Sequence, residues 1–314
     1  MFENVIICIF MYNNPHNSQT FIIHRKVIKR LKDNRGWKTT SYKPGLKIIV
    51  CIKQVVATQN MKIDPINHTL IRENMPSMLN PLDEIGVEEG LRLREKYGGE
   101  VTVITMGPMQ AKEAVLRCLA MGADKGIIIS DKAFAGADTI ATAYTLYMQI
   151  KKMEYDLIIC GKISTDSETG HVGPHLAEFL NIPQICYVKK VDLDIERRRI
   201  IAQKETDEGI EIVEASLPVL LTTTMGLNEP RLPTLKGMIS SKRKEIEIVT
   251  AKDLGGSLSN YGLRGSPTFV DEVFEPPSRK PETIFQGDPK EVVEKIVQVL
   301  LNKKLISSRS YSVC

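Results

Sequence analysis

The stretch Gly161-Lys162-Ile163-Ser164-Thr165-Asp166-Ser167-Glu168-Thr169-Gly170-His171-Val172-Gly173-Pro174 is dense in small and hydroxyl residues. It follows Asp156–Cys160 (DLIIC), a compact apolar run that reads as a buried strand. After it, Val172, Leu176, Phe179 and Leu180 recur at helical spacing and mark one face of a helix. A loop between a buried strand and a helix start presents free backbone N–H groups, which suit phosphate. Lys162 adds positive charge, and Ser164, Thr165, Ser167 and Thr169 can donate to phosphate oxygens. The plainer alternative is a polar loop with a capping Asp or Thr. It is not a P-loop: the Gly-x4-Gly-Lys-Ser/Thr spacing fails, with Asp156 and Ile163 at the decisive positions.

Other chemistry is sparse. There is neither a GxGxxG dinucleotide fingerprint nor a GxSxG nucleophile elbow. His171 and His175 are four residues apart, yet without HExxH they read as a solvated pair rather than metal ligands. His68 is the third histidine beyond residue 45. The cysteines at 8, 51, 118, 160, 186 and 314 show no CxxC spacing. That argues against a zinc ribbon, an iron–sulfur cluster and a disulfide framework, and it suits a reducing, cytoplasmic setting. Cys51, Cys160 and Cys186 read as small core residues. A helix-start phosphate site without an acid–base pair suggests a nucleotide carrier more than a hydrolase.

The elements that must position this loop alternate strand and helix. Leu46–Lys53, Glu100–Met106, Lys125–Ser130, Asp156–Cys160 and Gln184–Lys189 read as strands. Helices are expected from Asn80-Pro81, where Asn caps, Pro fits the first turn and Asp83 and Glu84 suit the dipole, to Gly98-Gly99. Two more are expected over Gln110–Met121 and Thr139–Lys152. The fold class is α/β: a doubly wound, mostly parallel sheet of the adenine-nucleotide-binding type with a long C-terminal arm. Met61–Asn74 reads as a hairpin-like excursion, and Arg199–Gln203, Ile210–Ala215 and Val219–Thr224 as further strands. Lys242–Pro281 is polar and rich in Pro and Gly, and Lys242-Arg243-Lys244 reads as a solvated turn. A last helix opens at Asp288-Pro289 with a stripe of Val293, Ile296 and Leu300. The expected units are an extension over 1–45, a nucleotide-binding domain over 46–241 and an arm over 242–314.

Of the 314 residues, 42 are Lys or Arg and 38 Asp or Glu, a net of +4. Residues 1–45 alone contribute +6, so the body carries −2 and gives no electrostatic reason to expect nucleic acid. The longest apolar run, Val5 to Tyr12, is far short of the roughly 20 residues of a membrane span, so no membrane insertion is expected. Residues 1–45 hold the sole tryptophan, Trp37, and read as a stretch ahead of a true start near Leu46, a targeting or regulatory arm, or an ordinary structured extension.

Taken together, the body from Leu46 to about Ile306 resembles the β subunit of electron-transferring flavoproteins. The resemblance is carried by Ile52-Lys53-Gln54-Val55-Val56-Ala57-Thr58, by Asn80-Pro81-Leu82-Asp83 through Arg94, by 101–108 (VTVITMGP) and 116–124 (LRCLAMGAD), by the loop 161–174, and by Leu227–Glu247. Phe134-x-Gly136-Ala137-Asp138-Thr139 and Met106-Gly107-Pro108 are similar to electron-bifurcating members, as is Gly265–Thr268 followed by Val273-Phe274.

The resemblance implies a heterodimer with an α subunit that holds FAD, carrying electrons for a flavin-dependent acyl-CoA or 2-hydroxy-acid-type dehydrogenase. It implies a nucleotide in the chain's own site: FAD taking hydride from NADH, with ferredoxin or flavodoxin as acceptor, or a structural AMP. Cys51, Lys53, Asn80, Pro81, Leu82, Asp83, Met106, Thr139 and 161–173 are implied to line that site. Arg231, Thr234 and Leu235 fall at the partner-recognition loop, with Leu235 an apolar anchor or a helix-face core residue. Ile163, Ser164, Ser167, Glu168, Gly170 and His171 depart from the family loop pattern, as Val56 and Ala57 do from the first motif. A stress-protein-type regulatory module on the same sheet is a third reading, which the 227–247 segment and the tail oppose.

Overall fold

The computed structural model describes residues 7–10, 45–56, 62–63, 70–71, 77–271 and 284–307. Trp37, His68, Val273, Phe274, Cys314 and most of the 1–45 extension lie outside the described residues. In chain order the elements are β1 (Ile7–Phe10), β2 (Leu46–Cys51), β3 (Gln54–Val56), β4 (Lys62–Ile63), β5 (Leu70–Ile71), β6 (Ser77–Leu79), α1 (Pro81–Tyr97), β7 (Gly99–Met106), α2 (Lys112–Met121), β8 (Lys125–Ile129), α3 (Thr139–Ile150), β9 (Leu157–Gly161), α4 (Val172–Leu180), β10 (Gln184–Asp194), β11 (Arg199–Thr206), β12 (Gly209–Ser216), β13 (Val219–Thr223), α5 (Leu235–Ser241), β14 (Ile246–Val249), α6 (Ala251–Leu254) and α7 (Pro289–Asn302).

A ten-stranded sheet runs in the order β1-β12-β11-β10-β13-β9-β2-β7-β8-β14. From β10 to β14 every pairing is parallel, and β10-β11-β12-β1 forms an antiparallel ribbon at one edge. The antiparallel pair β4–β5 lies within the expected Met61–Asn74 excursion, and the pair β3–β6 flanks it between β2 and α1. The central strands are apolar on both faces because helices cover both. Ile48 and Val50 pack with Val87 and Leu91 of α1 and Val115 and Leu119 of α2. Ile49, Ile104 and Ile158 pack on the other face with Leu146 of α3 and Leu176 of α4.

Gly98 ends α1 at φ 75°, with its N–H bonded to Arg94 O, so the expected stop holds. The start differs in detail. Asn80 makes no side-chain cap bond; its amide serves the loop described below. The expected boundary at 241/242 is also crossed by the sheet. β14 pairs with β8, and Leu254 and Tyr261 are buried on the α3 face. Tyr261 meets Phe134 edge to face at 5.3 Å. Only four residues of β14 alternate among charges, too short a run to stand out in the sequence. Beyond it, Thr268 bonds the Asp138 carboxylate through N–H (3.1 Å) and hydroxyl (2.8 Å). Helix α7 starts at its Asp288 cap as expected and has no buried residue. Among the described residues no helix is long and apolar enough to cross a membrane.

Candidate functional site

The chain leaves β2 through α1 to β7 on one side and returns through α3 to β9 on the other side of β2. Strand order therefore reverses between β2 and β9, and an open parallel sheet binds ligands beyond the carboxyl ends at such a point. The loop 161–171 begins there. Asp83, in the first turn of α1, is buried and spans the gap. Its Oδ2 accepts the Lys53 N–H at 2.7 Å and its Oδ1 the Gly161 N–H at 3.1 Å. Burial outweighs these bonds and pushes its carboxyl up to about 7. Gly161 is required here, since a Cβ would strike Asp83 Oδ1. The Asn80 amide donates to Ile163 O at 2.9 Å and accepts the Thr165 N–H at 3.3 Å. Lys53 Nζ crosses to Asp166 at 2.6 Å and Ser164 Oγ at 3.1 Å, and Ser164 and Ser167 hydroxyls meet at 2.8 Å.

So braced, the loop enters α4 with no side-chain cap. Among the described residues, the backbone N–H groups of Thr169, Gly170, His171, Val172 and Gly173 find no acceptor in the protein. Gly173 lies against Thr222, where a Cβ would be 2.9 Å from its methyl, so the helix start sits close on the sheet. Consecutive free N–H groups at the positive end of a helix are an anion cradle.

The model of the electron transfer flavoprotein domain matches residues 68–254. An electron transfer flavoprotein β subunit of Thermoanaerobacterium thermosaccharolyticum is 46% identical over 83% of this chain and 100% of its own length. The chain belongs to the electron transfer flavoprotein β-subunit family. A β subunit of Clostridium acetobutylicum is 44% identical over 81% of this chain and 94% of its own. The caffeyl-CoA reductase–Etf complex subunit CarD of Acetobacterium woodii is 40% identical over 83% of this chain and 100% of its own.

In this flavoprotein β chain the structure gathers Lys53, Asn80, Asp83 and the loop residues 161–173 at one crevice. Cys51 and Cys160 lie buried at the ends of the two strands beneath it. Pro81 and Leu82 open α1, with Leu82 O accepting the Thr223 hydroxyl at 2.9 Å. Met106 and Thr139 end β7 and begin α3, on the β7–β8 side of the rim, and no hydrogen bond ties Thr139 to the loop. The departures also have structural consequences. Ser164 and Ser167 are engaged with each other, so the free hydroxyls are those of Thr165 and Thr169. Glu168 occupies the left-handed region at φ 53°, a conformation that favours glycine. The His171 and His175 rings meet at 5.8 Å, and no group of three metal-type side chains occurs among the described residues.

Two residues that sequence reasoning missed stand at the crevice. Thr223, buried, links Leu82 and Cys160 through its hydroxyl (2.9 and 3.3 Å). Tyr187 sits at φ 62° in a register shift of β10, its N–H on Thr222 Oγ1 at 2.9 Å and its ring 4.5 Å from Lys162 Nζ. A bulge leaves no compositional mark, so the sequence offered no signal for Tyr187.

The 227–241 segment presents a different surface. Arg231 holds Glu88 through Nε at 2.8 Å and also bonds Glu95. Thr234 caps α5 by accepting the Gly237 N–H at 3.0 Å. Arg231 and Thr234 therefore brace the loop, and Leu235 (71% exposed) and Leu232 (80%) project from it. The core-residue alternative for Leu235 is excluded by that exposure. A cavity of about 640 Å³ lies at the amino ends of the strands, lined by Lys47, Glu100, Lys125 and Gln149. It is at the opposite end of the sheet from the crevice, and Glu100 there is paired with both lysines (3.8 and 3.1 Å).

Proposed function

We propose that this β subunit holds a nucleotide with its phosphates on the 169–173 N–H groups and its ring system over the ends of β2 and β9. The single observation carrying this reading is the run of five unpaired N–H donors at the reversal point. Asn80, Asp83 and Lys53 hold that run in place by bonding the loop from α1 and β2. When bound, FAD supplies hydride and single-electron transfer; the chain supplies geometry and electrostatics. We take FAD as the occupant and NADH-linked bifurcation as the activity, on the likeness of 134–139 and 106–108 to bifurcating members. The role is that of an electron carrier, with an FAD-holding α subunit as partner and α7 as the arm that packs on it. CarD's membership in a caffeyl-CoA reductase complex supports an acyl-CoA-type dehydrogenase as client.

A second reading, structural AMP without NADH chemistry, is favoured by Glu168. It carries a side chain at φ 53°, where glycine is favoured, and this restricts the close backbone approach that a pyrophosphate needs. The test is to co-express the chain with its α subunit, denature the purified heterodimer and count released nucleotides. Two FAD per complex support the first reading. One FAD and one AMP replace it with the second, and one FAD alone overturns both.

A further inference from the structure

We propose that Tyr187 is a positioning residue that holds the Lys162 ammonium ready for the ligand's phosphate. This rests on the crevice being a nucleotide site. An aromatic residue at φ 62° is a steric outlier, and such strain persists only where neighbours impose it. Here the β10–β13 register shifts between Ile185 and Val188, and the Thr222 hydroxyl fixes the Tyr187 N–H. The result is a half-exposed ring with the Lys162 ammonium 4.5 Å from its centroid. The two lysines of the crevice thereby differ. Lys53 is neutralised by Asp166, whereas no carboxylate pairs with Lys162 among the described residues. A ring face steadies a cation without cancelling its charge, so Lys162 keeps its full attraction for an anion.

The phosphate group is what this pair would read. The experiment uses the heterodimer stripped of nucleotide and compares AMP with adenosine, and FMN with riboflavin, each pair differing by one phosphate, for wild type, Tyr187→Phe, Tyr187→Leu and Lys162→Met. Tyr187→Leu is expected to weaken the phosphate-bearing ligand by roughly two- to fivefold and leave its phosphate-free analogue unchanged. Tyr187→Phe, which keeps the ring, restores wild-type affinity. In the Lys162→Met background Tyr187→Leu has no further effect. Equal losses for both members of a pair, or no loss, would overturn the proposal. If the Leu variant folds poorly, the Phe and Met variants still decide it through the salt dependence of AMP affinity, which Phe preserves and Met reduces. Wild type binding none of the four ligands would instead overturn the nucleotide reading itself.

Discussion

Arg231 meets Glu88 through three donors: its backbone N–H at 3.1 Å, Nε at 2.8 Å and a terminal nitrogen at 3.1 Å. The Glu88 side chain is 3% exposed, so this is a largely buried charge held by a loop 143 residues away. Burial alone would raise the Glu88 carboxyl, but the Arg231 bonds, helped by Arg92, outweigh it and hold it below the ordinary range. Arg231→Ala is expected to cost about 2 kcal/mol, because it strands that carboxylate with Arg92 alone. The folded state resists protonating Glu88, so this contribution is complete above the ordinary carboxylate range and is lost as pH falls through the lowered value. Urea unfolding at pH 7 and pH 4 should show the variant's deficit shrinking at the lower pH. A deficit that does not change with pH would refute the assignment.

Asp83 shifts the other way. Its folded pKa of about 7 lies above the ordinary carboxylate value, so its ionisation costs stability as pH rises through 7 and costs nothing below the ordinary range. Ionised, it accepts both the Lys53 and the Gly161 N–H; protonated, it serves one of them poorly. Nucleotide release, followed by fluorescence, should accelerate as pH drops below about 7. Asp83→Asn should release fast at every pH. A flat wild-type profile would contradict the bridging role.

Gly161→Ala should lose bound nucleotide and about 2 kcal/mol of stability, because the added methyl would overlap the Asp83 carboxylate. Ser167→Gly should leave affinity nearly unchanged, since its hydroxyl is turned to Ser164. Titration with AMP or FAD would separate the two outcomes.

Leu235→Ala removes a side chain that is 71% exposed, so stability should stay within about 0.5 kcal/mol of wild type. Bound nucleotide should also be unchanged, while electron transfer to the client dehydrogenase slows. Equal transfer rates would end the docking assignment.

Deleting residues after 287 removes α7, whose Val293 and Ile296 are exposed within the chain. The truncated chain should keep the stability of its sheet yet associate more weakly with the α subunit. Unchanged association in sedimentation would show that the helix serves another purpose.

The parallel core was legible because its signals are local. Apolar runs such as Leu46–Cys51 and stops such as Gly98 need no tertiary knowledge. The loop after β9 was legible for the same reason, as small and hydroxyl residues between a strand and a helix. What stayed hidden depends on partners distant in sequence. Asn80 looks like a cap and Asp83 like a dipole partner, but both face residues some 80 positions away. Arg231 looks like a rim charge and is a clamp, because the carboxylates that claim it belong to α1. β14 is a strand only because the edge of β8 is open beside it.

Helix α1 carries both arrangements. Its first turn secures the crevice through Asp83, and its later turns secure Arg231 through Glu88 and Glu95. Asp83 and Glu95 are twelve residues apart, about 18 Å at the rise of an α-helix. The helix thus works as a ruler: the crevice and the Arg231 loop are registered to one rod, with a separation set by its backbone pitch and insensitive to the loops between.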